Sequence, residues 1–105
     1  MDIYSLVFDD YETLDLMGPV EFLARVPNVK LHYVSQVGGL IRSKQGFYIE
    51  TEKLEYLLPH SVLLVVGGQG TRQLVKDEQF INQLGEWIDE SEICLSVCTG
   101  SALLA

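Results

Sequence analysis

Short apolar runs alternate along the chain with segments whose apolar residues recur every three or four positions. Four runs predict the main strands, and they occupy residues 3–8, 29–37, 62–66 and 93–97. Residues 62–66 are apolar at every position, and residues 3–8 and 93–97 contain one serine each. Nearly continuous apolar runs are typical of strands buried on both faces of a parallel sheet. Because helical segments separate them, the pattern predicts an α/β domain in which helices cover both faces of a doubly wound, mainly parallel sheet.

The first helical segment follows residues 3–8, and Thr13 is its candidate N-cap because a hydroxyl there can accept a backbone hydrogen bond. Pro19 lies inside this segment, and its missing N–H cannot bond the carbonyl of Asp15 four residues earlier. The helix is therefore either loosened around Asp15 or begins near Gly18. Both alternatives keep Asp15 at the junction between the first strand and the first helix.

Turn-forming residues at 38–39 and 43–46 flank two short apolar segments, residues 40–42 and 47–49. This arrangement predicts a β-hairpin between the second and third main strands. Further along, Asp77 precedes a segment whose apolar residues fall on one stripe, so it is predicted to be the N-cap of another helix.

The composition is that of one globular domain, residues 1–105. Hydrophobic residues make up 48 % of the chain, too large a share for a disordered protein. The formal net charge of -8 argues against a nucleic-acid-binding surface, since phosphate contacts need clustered lysine and arginine. The longest apolar run, residues 62–66, is far shorter than the ~20 residues that a membrane-spanning helix needs.

The start of the chain lacks the basic residues of a secretory signal, and its two cysteines, Cys94 and Cys98, are too few for a disulfide scaffold. Both observations predict a cytoplasmic, reduced protein with no membrane partner. The segment 99–105 is too short to form a stable helix alone and its last residues are apolar. We therefore expect the domain to continue beyond residue 105.

Candidate functional residues follow three of the predicted strands at their carboxyl ends. Asp15 follows the first strand, the glycine-rich loop 67–71 follows the third, and Cys98 follows the fourth. Ligands of open α/β sheets bind at that end, where the strand order changes direction. We therefore expect Asp15, Gly68 and Cys98 to converge at one edge of the sheet.

Cys98 lies in the pattern Ser-Val-Cys-Thr-Gly, residues 96–100, with small residues around a strand-to-helix turn. Such a turn exposes a nucleophile, and the N–H groups of the following helix favour the thiolate form of a cysteine. The alternative is a buried cysteine that packs as a small apolar residue. Cys94 lies about 13 Å away along the same strand, too far for a disulfide, and is interpreted as a core residue.

Three segments together carry a family resemblance that covers the whole chain. They are Leu-Asp-Leu-Met-Gly-Pro at 14–19, Gly-Gly-Gln-Gly-Thr at 67–71 and Cys-Thr-Gly at 98–100. In this order they resemble the DJ-1/PfpI superfamily, which implies a flavodoxin-like α/β fold. The first segment is most similar to the branch that holds isonitrile hydratases and the amidase-like domains of some transcription regulators.

The resemblance implies roles for individual residues. Cys98 matches the nucleophilic cysteine of the family, Asp15 the acidic residue that contacts it, and Thr99 the residue that follows the cysteine in the hydratases. Backbone N–H groups of Gly68 and Thr99 are implied to form an oxyanion pocket. The implied partners are a small-molecule substrate and a second copy of the chain in a homodimer, with no cofactor and no metal ion.

Two functions remain open on this basis. In the first, the protein is a hydratase or hydrolase in which the Cys98 thiolate attacks the carbon of a small carbon–nitrogen substrate, Asp15 supplies a proton, and water releases a formamide-type product. In the second, the same pocket belongs to a non-enzymatic domain that senses a ligand or a redox signal in a transcription regulator. Glyoxalase-, deglycase- or protease-like activity is a further alternative, although glyoxalase- and deglycase-like members carry a glutamate where this chain has Asp15.

Many members of the superfamily place a histidine near the cysteine, from a segment that would follow residue 105. The two histidines of this chain, His32 and His60, are predicted to lie within the second strand and before the third. Both positions are away from the edge where the strand order changes direction, so both histidines are interpreted as structural or solvated.

Two other kinds of site fit the sequence less well. The acidic pair Asp9-Asp10 resembles the metal site of response-regulator receiver domains, but the third predicted strand ends in Gly67-Gly68 rather than in a phosphate-accepting aspartate. The loop 67–71 could bind a nucleotide phosphate through its backbone, yet it contains neither Gly-Lys-Ser/Thr nor a complete Gly-x-Gly-x-x-Gly pattern.

Overall fold

The computed structural model describes residues 1–68 and 70–97, and the following strands and helices lie within those ranges. Six strands form one sheet: β1 (Asp2–Leu6), β2 (Lys30–Ser35), β3 (Gly39–Arg42), β4 (Tyr48–Lys53), β5 (Val62–Val65) and β6 (Ile93–Ser96). Three helices accompany the sheet: α1 (Thr13–Leu23), α2 (Thr71–Leu74) and α3 (Glu78–Glu90).

The strand order across the sheet is β3-β4-β2-β1-β5-β6, and every neighbouring pair is parallel except the hairpin of β3 and β4. In β1, Ile3 lies opposite Leu31 of β2 on one side and Val62 of β5 on the other. The chain moves from β1 to β2 in one direction and from β5 to β6 in the other, so the order changes direction between β1 and β5. The predictions of a mainly parallel, doubly wound sheet and of a hairpin are confirmed.

Helices lie on both faces of the sheet. The crossovers through α1 and through α3 run in opposite directions along the sheet. Because crossovers between parallel strands are right-handed as a rule, the two helices are expected on opposite faces. Ile3, Val62 and Leu64 form one apolar cluster, and Leu23 of α1 packs against it. A larger cluster contains the alternate residues of the same strands together with side chains of α3: Tyr4, Leu6, Leu63, Val65, Phe80, Leu84 and Trp87.

The first helix begins at Thr13 itself, so the prediction that Thr13 is its N-cap is wrong. Glu12 occupies the N-cap position with an extended backbone, and its side chain makes no capping hydrogen bond. Of the two alternatives for Pro19, the structure takes the one in which α1 passes through the proline and continues to Leu23. Asp15 consequently lies in the first turn of α1.

The predicted N-cap of α3 is confirmed, because the Asp77 carboxylate accepts a hydrogen bond of 3.1 Å from the backbone N–H of Phe80. The preceding α2 escapes sequence-based prediction, since four residues are too few to show a helical period. In residues 1–68 and 70–97, no helix combines the length and apolar character needed to cross a membrane.

Candidate functional site

The loops that follow β1 and β5 are packed backbone against backbone at the carboxyl edge of the sheet. The N–H of Glu12 donates to the carbonyl of Gly67 at 2.9 Å, and Gly68 forms a β-bridge with Tyr11. A Cβ atom on Gly68 would lie 2.6 Å from the backbone nitrogen of Glu12 and 2.7 Å from the carbonyl oxygen of Asp10. Its φ of +137° is also strained for any other residue, so glycine is required at this position.

Gly70 is required for a different reason. Its φ is ordinary, but a Cβ atom there would run into the carbonyl oxygen of Asp9 and lie 2.8 Å from the ring of Phe8. The glycines of this loop therefore allow the two loops to approach each other closely. Their presence needs no bound phosphate to explain it.

Asp15 is buried beside this contact. Asp15 is 7 % exposed, and its backbone N–H donates to the carbonyl of Glu12 at 3.0 Å within the first turn of α1. Its carboxyl oxygen Oδ2 is buried and has no hydrogen-bond partner among the described residues. A buried carboxyl oxygen without a partner is costly, so such an atom in a native fold points to a role outside the packing itself.

Tyr11 is a second polar group of this kind, and the sequence analysis missed it. Its side chain is fully buried, and its hydroxyl lacks a partner among the described residues. Burial raises the pKa of the Tyr11 phenol, which keeps the hydroxyl protonated at neutral pH. In residues 1–68 and 70–97, four buried side-chain oxygens lack a partner, and those of Tyr11 and Asp15 both belong to the segment that follows β1.

The hairpin contributes two further residues that the sequence analysis had not connected with the site. Ser43 and Gln45, from the turn between β3 and β4, make hydrogen bonds to Thr13 at the start of α1. The sequence marks this stretch only as a turn. Nothing local in it indicates that its side chains reach a helix some thirty residues earlier in the chain.

Cys98 and Thr99, the predicted nucleophile and its neighbour, lie outside the described residues. The strand that leads to them is placed, since the N–H of Val97 donates to the carbonyl of Val65 at 3.1 Å. Cys94 lies opposite Leu63 within β6 and packs against the larger apolar cluster. Burial raises the pKa of the Cys94 thiol, which disfavours its thiolate form.

The two histidines lie away from this edge. In β2, His32 is opposite Tyr4, on whose ring it stacks at a centroid distance of 4.4 Å, and its Nε2 lies 2.8 Å from Oδ1 of Asp2. His60 precedes β5 and is largely exposed, with its Nδ1 3.7 Å from Glu92. Their interpretation as structural and solvated residues agrees with these positions.

A cavity of about 190 Å³ opens at the same edge, between the segments that follow β1 and β2 and the start of α2. Apolar side chains such as Val7 and Ile41 line it together with Asp9, Asp10 and Gln36. Asp15 is not among its lining residues. No group of three potential metal ligands occurs within the described part of the chain.

A known family and a curated relative match this chain along almost its whole length. The model of the DJ-1/PfpI family matches residues 1–105. Isonitrile hydratase from Pseudomonas putida is 32 % identical over 105 residues, which are 99 % of this chain and 46 % of that protein. The chain thus spans about half the length of this curated relative.

Two solved structures resemble the fold. A ThiJ/PfpI family protein from Pseudomonas syringae has a TM-score of 0.83 at 22 % identity, over 98 % of this chain and 44 % of that one. An AraC family transcriptional regulator from Pseudomonas putida has a TM-score of 0.64 at 14 % identity, over 98 % of this chain and 58 % of that one.

Proposed function

The chain belongs to the DJ-1/PfpI family, and on that premise we propose that it carries the nucleophile and the proton donor of a hydratase- or hydrolase-like site. The observation that carries the proposal is Asp15, a carboxyl buried at the edge where ligands of such sheets bind, with an oxygen that no described residue satisfies. A group in this state is available to a substrate or to a neighbouring nucleophile.

We assign Cys98 as the nucleophile and Asp15 as the proton donor, with the backbone N–H groups of Gly68 and Thr99 stabilising developing negative charge. Support for the first assignment comes from the sequence around Cys98 and from the family. Support for the second comes from the burial of Asp15 and from the segment 14–19, which places an aspartate rather than a glutamate at this position. The aspartate favours the hydratase-like branch over glyoxalase- and deglycase-like members.

The relative of known activity acts on isonitriles, so an isonitrile is the first substrate to test. In the proposed reaction the Cys98 sulfur forms a bond to the terminal carbon of R–N≡C, and that carbon takes up the proton of Asp15 to give a thioimidate. Water then adds to the same carbon, and one of its protons moves to nitrogen. As the carbon–sulfur bond breaks, the other proton of that water returns to the Asp15 carboxylate. The thiolate is restored and the product is the N-substituted formamide.

The test compares the two cysteines of the same chain. Iodoacetamide labelling followed by peptide mapping between pH 5 and 9 is expected to modify Cys98 well below the free-thiol pKa of about 8.5. Cys94 should remain unmodified, because burial raises its pKa. Incubation with a small alkyl isonitrile is expected to yield formamide, and Cys98→Ser to abolish it while Cys94→Ser retains it.

Equal labelling of both cysteines, only above the free-thiol pKa, would contradict the nucleophile assignment. Selective labelling of Cys98 at low pH without formamide formation would favour the second candidate function, a ligand- or redox-sensing domain. The observation that supports a sensing domain is the similarity of the fold to that of an AraC family transcriptional regulator. In that case mild peroxide should oxidise Cys98 before Cys94, since oxidation follows thiolate character and access.

A further inference from the structure

The first turn of α1 has no cap of its own. The leading N–H groups of a helix have no partner within the helix and need acceptors from elsewhere. In α3 the side chain of Asp77 supplies one, whereas in α1 the residue at the same position, Glu12, makes no such bond. The start of α1 therefore depends on a group from another part of the chain.

The missing acceptor comes from the hairpin turn. Oε1 of Gln45 accepts a hydrogen bond from the backbone N–H of Thr13 at 3.1 Å and lies 2.8 Å from the Thr13 hydroxyl. The Gln45 amide nitrogen donates to Oε1 of Glu12 at 3.0 Å. One side chain thus binds both the residue before α1 and its first residue.

The turn is itself held against the segment that leads from β1 to α1. The buried Ser43 hydroxyl is 2.7 Å from that of Thr13 and accepts from the backbone N–H of Phe47. Two backbone bonds of 2.9 Å add to this contact, from Asp10 to the carbonyl of Arg42 and from Lys44 to the carbonyl of Tyr11. The hairpin is therefore attached at several points around Gln45.

Asp15 lies two residues after Thr13 in this capped turn. Because its Oδ2 has no partner in the described part of the chain, hydrogen bonds do not hold that oxygen in place. The position of the carboxyl depends instead on the backbone of the first turn and on packing. We propose that Gln45 is a positioning residue for Asp15, acting through the cap that it supplies to α1. This inference rests on the proposed role of Asp15 as a proton donor.

The decisive variant is Gln45→Ala, and the chain offers a matched control. Gln36 also joins a loop to a helix through one side-chain bond, from its Nε2 to Oε1 of Gln83 in α3 at 2.8 Å. Gln36→Ala removes a bond of the same kind without touching α1. A double variant, Glu12→Gln with Gln45→Glu, exchanges amide and carboxylate and leaves an acceptor for Thr13, so it serves as the rescue.

Two readouts are measured on the full chain: hydrogen exchange of the Thr13 to Asp15 amides, and the pH profile of Cys98 alkylation between pH 5 and 9. Gln45→Ala is expected to speed exchange of the Thr13 amide about fivefold to tenfold, the effect of losing one capping bond. It should also displace the alkylation profile in the same direction as Asp15→Asn does. Gln36→Ala should change neither readout, and the double variant should restore both.

Each outcome decides a different question. Unchanged exchange of Thr13 in Gln45→Ala would overturn the cap, and with it the inference. Faster exchange with an unaltered alkylation profile would show that packing alone holds Asp15, and would overturn the positioning role while leaving the proposed function intact. An unaltered profile in Asp15→Asn would overturn the role of Asp15 itself, and the exchange data would still show whether Gln45 caps α1.

Discussion

Asp2, the first residue of β1, and Asp15, in the helix that follows β1, have different surroundings. Asp2 begins β1, and its Oδ1 lies 2.8 Å from Nε2 of His32 on the neighbouring strand. Its side chain is 26 % exposed and that of His32 is 20 % exposed, so both groups also reach water. Asp15 follows the other end of β1, is 7 % exposed, and has an oxygen that no described residue bonds.

The difference separates a structural carboxylate from a candidate functional one. The hydrogen bond from His32 lowers the pKa of Asp2, which means that the fold favours its ionised form and gains stability from it. The buried oxygen of Asp15 receives no such bond, so its burial works against folding. A protein keeps a residue of the second kind when a ligand or a reacting group supplies the partner.

The largest expected effect concerns turnover. Asp15→Asn removes the proposed proton donor and is expected to lower kcat for isonitrile hydration by about 10²–10⁴-fold, the usual contribution of general acid catalysis. Asp2→Asn should leave kcat unchanged, because Asp2 lies at the opposite end of β1. Formamide formation in the two purified variants measures both. If Asp2→Asn lowered kcat as much as Asp15→Asn does, the two aspartates would not differ in function.

Stability of the edge that holds Asp15 should depend strongly on Gly68. Gly68→Ala places a methyl group against the backbone of Glu12 and Asp10 in a strained conformation, and it is expected to lower the free energy of unfolding by about 2–3 kcal/mol. Gly85→Ala is the control, because Gly85 lies within α3 with nothing within 4 Å of the added carbon. It should raise stability by about 0.5–1 kcal/mol.

Urea denaturation measures both glycine variants. If Gly85→Ala lowered the free energy of unfolding as much as Gly68→Ala does, the close approach of the two loops would not be the reason why position 68 requires glycine.

The two aspartates should also affect stability with opposite signs. Asp15→Ala removes a buried polar oxygen that has no partner among the described residues and leaves a residue of high helix propensity, and it is expected to raise the free energy of unfolding by about 1 kcal/mol. Asp2→Asn weakens the hydrogen bond to His32 and should lower the free energy of unfolding. Denaturation midpoints at neutral pH test the signs directly. A loss of stability in Asp15→Ala would show that the Asp15 carboxyl has hydrogen-bond partners in solution.

The smallest effect is a pH dependence at the Asp2 end. Since the folded pKa of Asp2 lies below the unfolded value of about 3.9, its contribution is complete above that value and is lost as the pH falls through the folded pKa. The difference in urea denaturation midpoint between the parent chain and Asp2→Asn should therefore become smaller as the pH falls from 5 to 2. A constant difference over this range would assign the effect to packing.

Sequence reasoning succeeded where the physical signal is local. All four residues of β5 are buried, and the uninterrupted apolar run reports this burial directly. The cap of α3 is equally local, because Asp77 bonds a backbone N–H only three residues away. The parallel pairing of β1 with β5 followed from the same kind of run, since strands covered on both faces lack polar alternation.

The start of α1 shows where such reasoning fails. Thr13 has the side chain of an N-cap, yet the acceptor for its N–H comes from Gln45, which a hairpin brings back across the sheet. The burial of Asp15 and the unsatisfied Tyr11 hydroxyl likewise depend on how the loops after β1 and β5 meet. Asp15 could be singled out from its position and its family motif, but its lack of a partner is a property of tertiary packing alone.

The central place of β1 has a consequence for biosynthesis. A ribosome makes β1 before either of its neighbours, and β5 starts only at Val62, after α1, β2 and the hairpin have been made. One edge of an almost wholly buried strand therefore stays unpaired during much of translation, open to other nascent chains. Slower elongation before Val62 should lengthen this exposure, and chaperones that shield extended apolar segments should raise the yield of soluble protein.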